Sequence, residues 1–397
     1  MLVPAKALDD CMAENSSVRQ VVYDAIAESK SISRIRLAKQ YKLRLATVTE
    51  VTRSLIEDGF IEEAGEEKST GGRKPVLLRI NRDAFYTIGF KLSRSHLACG
   101  VFSAGMTQKF MFSRTAPQDM DGAKFLEILS DMTRAAIAET GIKRDKFKGI
   151  GIGLPAGVDI VKGIYHGAAY YPNLKNVPLK EVLEAEFKMP VLVDHDVVLM
   201  TLAEYYLSGA GIPDNLGVLF VGWGIGCRFI LNGEIYRGVH NKASEFGHLS
   251  LEPDGPECYC GNRGCLERFA STEAIEQQYG GTHRFSEIVE FAADGDAKAL
   301  KLLNDAAEYL ARAIAVIINL MDVEMLIING DIVIAENLIS EAFYNALDRY
   351  TFTTRSDRAC NVAFSRIGVK VGILGPALRA ADNYYSGKGI NIFVKRR

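Results

Sequence analysis

Between residues 17 and 28 the apolar positions Val18, Val21, Val22, Ala25 and Ile26 recur at intervals of three and four, the period of an amphipathic helix, and Ser17 stands where an N-cap belongs. A second, shorter helical signal covers residues 33–40, and a third runs over 46–58 until Gly59 stops it. Helix, helix, short turn and helix form the outline of a helix-turn-helix. In the third segment Val48, Val51 and Leu55 share one face, which leaves Thr49, Glu50 and Arg53 on the other. That outer face is expected to enter a DNA major groove, with Arg44 and Thr47 at the leading end of the helix. Residues 60–63 and 71–80 then read as two strands around a flexible tip carrying Arg73 and Lys74, the outline of a wing.

From Tyr86 onward the period changes. Residues 86–92 and 97–102 read as a β-hairpin, 147–154 as a buried strand and 190–194 as another, with helices over 122–140 and 178–187 between them. Later helical stretches cover 271–279, 284–293 and 297–320, and Gly375-Pro376 precedes a last helix over 377–385. Strands alternating with helices predict an α/β body.

Length and charge narrow the reading. A chain of 397 residues has room for two or three domains, and 48% hydrophobic with 24% charged residues is ordinary for a globular protein. A formal net charge of −2 excludes a globally basic nucleic-acid coat. It leaves room for a local one: every charged residue from Lys30 to Arg44 is basic, namely Lys30, Arg34, Arg36, Lys39, Lys42 and Arg44. The N-terminus has no apolar core of signal-peptide length, and the longest apolar run, 313–320, is closed by Asp322 and Glu324. A cytoplasmic protein without membrane insertion is expected.

Three of the seven cysteines fall within one stretch, 245–267, rich in glycine, proline and charge. There His248, Cys258, Cys260 and Cys265 follow the pattern H-x9-C-x-C-x4-C, one imidazole and three thiolates, a complete tetrahedral set for a structural Zn²⁺. Buried, inert cysteines are the alternative, and a disulfide is a weaker one where thiols stay reduced. Cys11, Cys99, Cys227 and Cys360 carry no readable spacing.

The same stretch, Glu-x-Gly-His followed by Cys-x-Cys-Gly-x3-Cys-Leu-Glu, resembles the signature of the ROK family of repressors, open reading frames and sugar kinases; Gly71-Gly72-Arg73-Lys74-Pro75 resembles the wing of its repressors. The resemblance implies a winged helix-turn-helix over residues 1–82, then a two-lobed actin-like, ribonuclease-H-like body, small lobe 83–197 and large lobe 198–397, with the C-terminal helix returning to the small lobe. It implies that Glu245, His248 and Glu267 contact sugar hydroxyls while zinc holds their loop. Asp196 takes the place of the kinases' general base, retained here as an acceptor, and His195 replaces an asparagine. Asn173 is a further candidate ligand contact or a turn residue, and Tyr170 and Tyr171 read as packing.

Against the kinases' phosphate loops the chain departs three times. Lys91-Leu92-Ser93-Arg94-Ser95-His96 stands for Asp-x-Gly-Gly-Thr-Lys, Trp223 enters Gly222-Trp223-Gly224-Ile225-Gly226, and Asp331 follows Asn329-Gly330. Loops that cradle phosphate need small residues and no acid. The expectation is therefore a non-catalytic sensor: a DNA-binding repressor answering to a sugar or sugar phosphate, acting as a homodimer or homotetramer on operator DNA. A hexose kinase, or a regulator controlled by a protein partner, are the alternatives.

Overall fold

In the computed structural model, which describes residues 17–66, 74–207, 212–241, 243–352 and 360–392, Ser17 caps helix α1 (Val18–Glu28) by accepting from the Gln20 N–H. Strand β1 (Ile32–Ser33) and helix α2 (Arg34–Gln40) follow, and Lys42 makes the turn with a positive φ of 50° before α3 (Leu45–Glu57). The inner face of α3 is Val48, Thr52 and Leu55, so Thr52 takes the core position expected of Val51. A buried hydroxyl needs a partner, and Arg34 Nε donates to Thr52 Oγ1 at 2.9 Å. Strands β2 (Ile61–Glu66) and β3 (Val76–Ile80) complete an antiparallel sheet ordered β1-β3-β2, the wing. Its tip, with Arg73, lies outside the described residues.

The chain divides into two compact units, residues 1–194 with 376–397, and residues 195–375. The first unit continues with β4 (Tyr86–Leu92), β5 (His96–Ser103), β6 (Gln108–Thr115), α4 (Gly122–Thr140) and β7 (Phe147–Leu154). A small sheet of β8 (Gly157–Asp159), β9 (Ile164–Gly167) and β10 (Val177–Pro178) precedes α5 (Leu179–Phe187) and β11 (Val191–His195). The main sheet runs β11-β7-β4-β5-β6, with β4 antiparallel to β5 and parallel to β7. Phe90, Phe125, Leu129, Ile152 and Leu183 meet in its core.

The second unit holds α6 (Asp196–Leu207), β12 (Leu216–Val221), β13 (Ile225–Leu231), β14 (Glu234–Tyr236), α7 (Glu267–Ala270), α8 (Thr272–Tyr279), α9 (Phe285–Ala293), α10 (Ala297–Met321), β15 (Met325–Asn329), α11 (Glu336–Tyr350) and β16 (Asn361–Phe364). Its sheet runs β14-β13-β12-β15-β16, antiparallel from β12 through β14 and parallel from β12 through β16. The two sheets thus repeat one order, the duplicated ribonuclease-H-like design that the family resemblance implies. Among the described residues no helix is long and apolar enough to cross a membrane.

Helix α12 (Val371–Ser386) begins before Gly375-Pro376 rather than after it, and Pro376 lies inside it. Close backbone packing accounts for the small residues around it. A Cβ on Gly375 would sit 2.2 Å from the Leu199 carbonyl, and one on Gly151 of β7 would sit 1.8 Å from the Pro376 carbonyl. The far end of α12 holds the winged helix. Tyr384 and Tyr385 pack with Phe60 and Phe85, ring centroids 4.7–5.9 Å apart, and Tyr23 OH meets Tyr385 OH at 3.1 Å. Beside them Asp58 receives Arg19 at 2.6 Å and Lys388 at 2.9 Å.

Candidate functional site

Strand alternation puts Gly224, Gly226 and Arg228 on one face of β13 and its lead-in. Each position on that face meets a different part of the site. A Cβ on Gly226 would press to 2.8 Å on Val197, so α6 lies directly over the strand and its first residue, Asp196, is held there; Asp196 Oδ1 accepts from the Val197 N–H at 2.8 Å. The place of a Cβ on Gly224 is 3.6 Å from Glu267 Oε2. Arg228, only 6% exposed, donates through Nη1 to the carbonyls of Cys227 and Ser244 at 2.7 and 3.1 Å, and its Nη2 lies 3.4 Å from Glu245 Oε1. One face of the strand therefore meets Val197 at the start of α6, Glu245 and Glu267.

The loop that carries His248 crosses the same strand backbone to backbone, since a Cβ on Gly247 would fall 2.2 Å from the Ile225 carbonyl. Bridges pair Ser250 with Cys265 and Glu257 with Arg263, and the Cys258 N–H donates to the Asn262 carbonyl at 2.8 Å, so the cysteines sit on a tight hairpin. Gly264, at φ 66°, lets the hairpin close on itself: a Cβ there would be 1.6 Å from the Glu252 carbonyl.

This folding brings one donor atom from each of His248, Cys258, Cys260 and Cys265 within 4.8 Å of the others. Cys258 Sγ is 3.6 Å from His248 Nδ1, and Cys260 Sγ is 3.6 Å from Cys265 Sγ. Zinc–sulfur bonds of about 2.3 Å and a zinc–nitrogen bond of about 2.0 Å give tetrahedral edges of about 3.8 Å and 3.5 Å, so the set fits the ion. Burial pushes the Cys258 and Cys265 thiols up. At Cys260 burial acts the same way, but the Asn262 N–H and the two neighbouring thiols outweigh it and bring that thiol below its ordinary value.

Glu267, 5% exposed, lies at the edge of this cluster, its Oε1 3.3 Å from both His248 Nδ1 and Cys258 Sγ. His248 Nε2 faces the Tyr259 hydroxyl at 3.5 Å. His195, at the end of β11, is half-buried. Asn173 belongs to the first unit, where its amide donates to the Asp119 carbonyl at 3.0 Å. Tyr171 is buried and donates to the Ser93 and Arg94 carbonyls at 2.8 and 3.0 Å, tying down the turn that stands for the kinases' first phosphate loop.

Asp331 Oδ2 lies 3.2 Å from where a Cβ on Gly222 would be, so a carboxylate stands against the Gly222-Trp223-Gly224 turn. Beneath it Glu204, buried, accepts from Asn329 Nδ2 and Ser365 Oγ. In the winged helix, Arg44, Glu50 and Arg53 are exposed, with Thr47 and Thr49 half-exposed beside them. Thr49 Oγ1 donates back to the Leu45 carbonyl at 2.7 Å, and Lys74 is exposed 3.8 Å from Glu66. Sequence reading missed Arg228 and Tyr259. Nothing in Cys227-Arg228-Phe229 marks a buried guanidinium; for Tyr259 the signal is its place between Cys258 and Cys260.

Residues 89–383 match the ROK family. The xylose repressor of Caldicellulosiruptor bescii is 29% identical over 366 residues, 86% of this chain and 90% of that protein. The DNA-binding transcriptional dual regulator NagC of Escherichia coli K12 is 31% identical over 343 residues, 82% of this chain and 83% of NagC. Among solved structures, a ROK family transcriptional regulator, a homologue of the E. coli MLC protein, matches with a TM-score of 0.78 at 26% identity, covering 94% of this chain and 96% of that one. The matched span takes in the duplicated sheets and the histidine–cysteine loop together, and the chain belongs to the ROK family.

Proposed function

We propose that the protein is a sugar-responsive, DNA-binding transcriptional regulator, a repressor of carbohydrate-metabolism genes. The observation that carries this reading is the winged helix itself, seated on a ROK body with Arg44, Glu50 and Arg53 turned to solvent. The similarity to a named repressor and to a named DNA-binding transcriptional dual regulator extends in each case over more than four-fifths of the chain. One of these relatives is named a xylose repressor, and a further one, of Escherichia coli O6:H1 and 31% identical over 343 residues, an N-acetylglucosamine repressor. The effector proposed is accordingly a sugar or sugar phosphate of unassigned identity.

Asp196, Glu245, His248 and Glu267 are the proposed sugar contacts, with His195 setting selectivity. Zn²⁺ on His248, Cys258, Cys260 and Cys265 is proposed to be structural: all four positions are filled by protein, and the ion would fix the loop that presents Glu245 and Glu267. No catalytic role is proposed for Asp196. The Asp331 carboxylate over Gly222 opposes a polyphosphate there. Domains of residues 1–82, 83–197 and 198–397, a cytoplasmic location and a homodimer or homotetramer complete the proposal. Ligand shifts the population between two arrangements of the dimer, which changes the spacing of its winged helices and lowers operator affinity.

The test is a thermal-shift panel of sugars and sugar phosphates with and without ATP and Mg²⁺, followed by product analysis. A sugar-dependent rise that ATP leaves unchanged, without phosphorylated product, is expected. Phosphorylated sugar would assign a kinase, and silence across the panel would point to control by a protein partner.

A further inference from the structure

A cavity of about 700 Å³ opens in the first unit, where the end of α12 meets the residues flanking β7 and α5. Its walls are apolar, formed by Phe147, Phe187, Met189 and Tyr384. Its rim carries four cations, Arg144, Lys148, Lys188 and Lys388, and a single acid, Asp145. A volume in this range and apolar walls with a few charged groups are the usual make-up of a small-molecule site.

Two of the rim cations are held in place by neutral partners. Arg144 donates to the Phe187 carbonyl at 2.5 Å and stacks over the Phe187 ring, its guanidinium 5.3 Å from the centroid. Lys148 donates to the Asp145 carbonyl at 2.6 Å and lies 5.5 Å over the Tyr384 ring. Carbonyls and ring faces orient a cation without cancelling its charge. Among the described residues Arg144, Lys148 and Lys188 form no ion pair with a carboxylate, so their positive charge stays available to an incoming anion.

We infer that this cavity binds a small organic anion with an apolar, preferably aromatic, body: the body against Phe187 and Tyr384, the anionic group among Arg144, Lys148 and Lys188. The site is joined to the winged helix through two of its own residues. Tyr384 packs on Phe60 and Phe85, and Lys388 pairs with Asp58 at 2.9 Å. The ring face of Tyr384 that the ligand body would cover is thus part of the same packing that seats the winged helix. Binding itself is independent of the sugar-sensor reading.

The probe is anilinonaphthalene sulfonate, an aromatic anion whose fluorescence rises on binding, titrated into the intact, zinc-loaded protein. Saturable binding near one probe per chain is expected, weakened about tenfold or more in a Lys148→Glu, Lys188→Glu double variant whose melting temperature and zinc content are unchanged. Naphthoate should displace the probe, while inorganic phosphate at equal concentration should not. Equal affinity in wild type and variant would place the probe elsewhere and overturn the assignment. Displacement by phosphate alone would overturn the amphipathic class in favour of a plain anion site.

Discussion

Arg228 shows how much of the candidate sugar site rests on one buried charge. A guanidinium out of water is costly unless its donors are used, and here Nη1 serves two carbonyls while Nη2 approaches Glu245, a carboxylate that remains exposed to a ligand. Arg228→Gln should release Glu245 and weaken the effector about tenfold, measured by calorimetry, with zinc content unchanged. Loss of zinc in that variant would mean that Arg228 holds the whole loop instead. Cys258→Ser should lower metal from about one ion per chain towards none and drop the melting temperature; full retention would refute the four-residue ligand set. The clustering of His248, Cys258, Cys260 and Cys265 was legible because a metal site would demand those residue types at short spacing. Arg228 was not, because arginine is ordinarily exposed and only the fold shows that this one is covered.

The element that most needs its neighbours is α12. Position 151 on β7 has no room for a side chain, so Gly151→Val should abolish soluble, folded protein, whereas Gly141→Ala, at a helix end with open space around it, should cost only the strain of its φ of 63°. Docking of the winged helix on α12 should depend on pH through Asp58 and Lys388. Burial alone would raise the Asp58 pKa, but Lys388 and Arg19 together hold it below the usual carboxylate value. Its contribution is therefore complete above the unfolded pKa of about 3.9 and lost as the pH falls through the lower folded value. The Lys388 pKa is raised, chiefly by its hydrogen bond to Asp58, so its share is complete below the unfolded value of about 10.4 and lost as the pH rises through the higher folded one. A melting curve of the winged helix should be flat between these limits and should lose its neutral-pH advantage in Asp58→Asn. Long periodic helices such as α4 and α10 were legible to within a residue or so. The start of α12 was not, because Gly375-Pro376 reads locally as a stop and only packing overrides it. Thr52 was misplaced for a similar reason, its hydroxyl being satisfied by Arg34, eighteen residues away.

Across the whole molecule the same five-strand order appears twice, yet the two halves share no repeat that reads along the sequence. Their strands are three to eight residues long, and their similarity lies in pairing order, which is long-range and which no period along the chain records. Family motifs, not periodicity, disclosed that architecture. The central claim is that a sugar-sensing body governs a DNA-binding head without catalysis. The most direct measurement is operator release by fluorescence anisotropy, titrating the sugar found by thermal shift into a complex of the intact protein with its operator, with and without ATP and Mg²⁺. The account predicts release at sugar concentrations matching the thermal-shift affinity, unchanged by ATP and accompanied by no phosphorylated sugar. An operator complex indifferent to a sugar that the body binds, or release only when ATP is consumed, would contradict it.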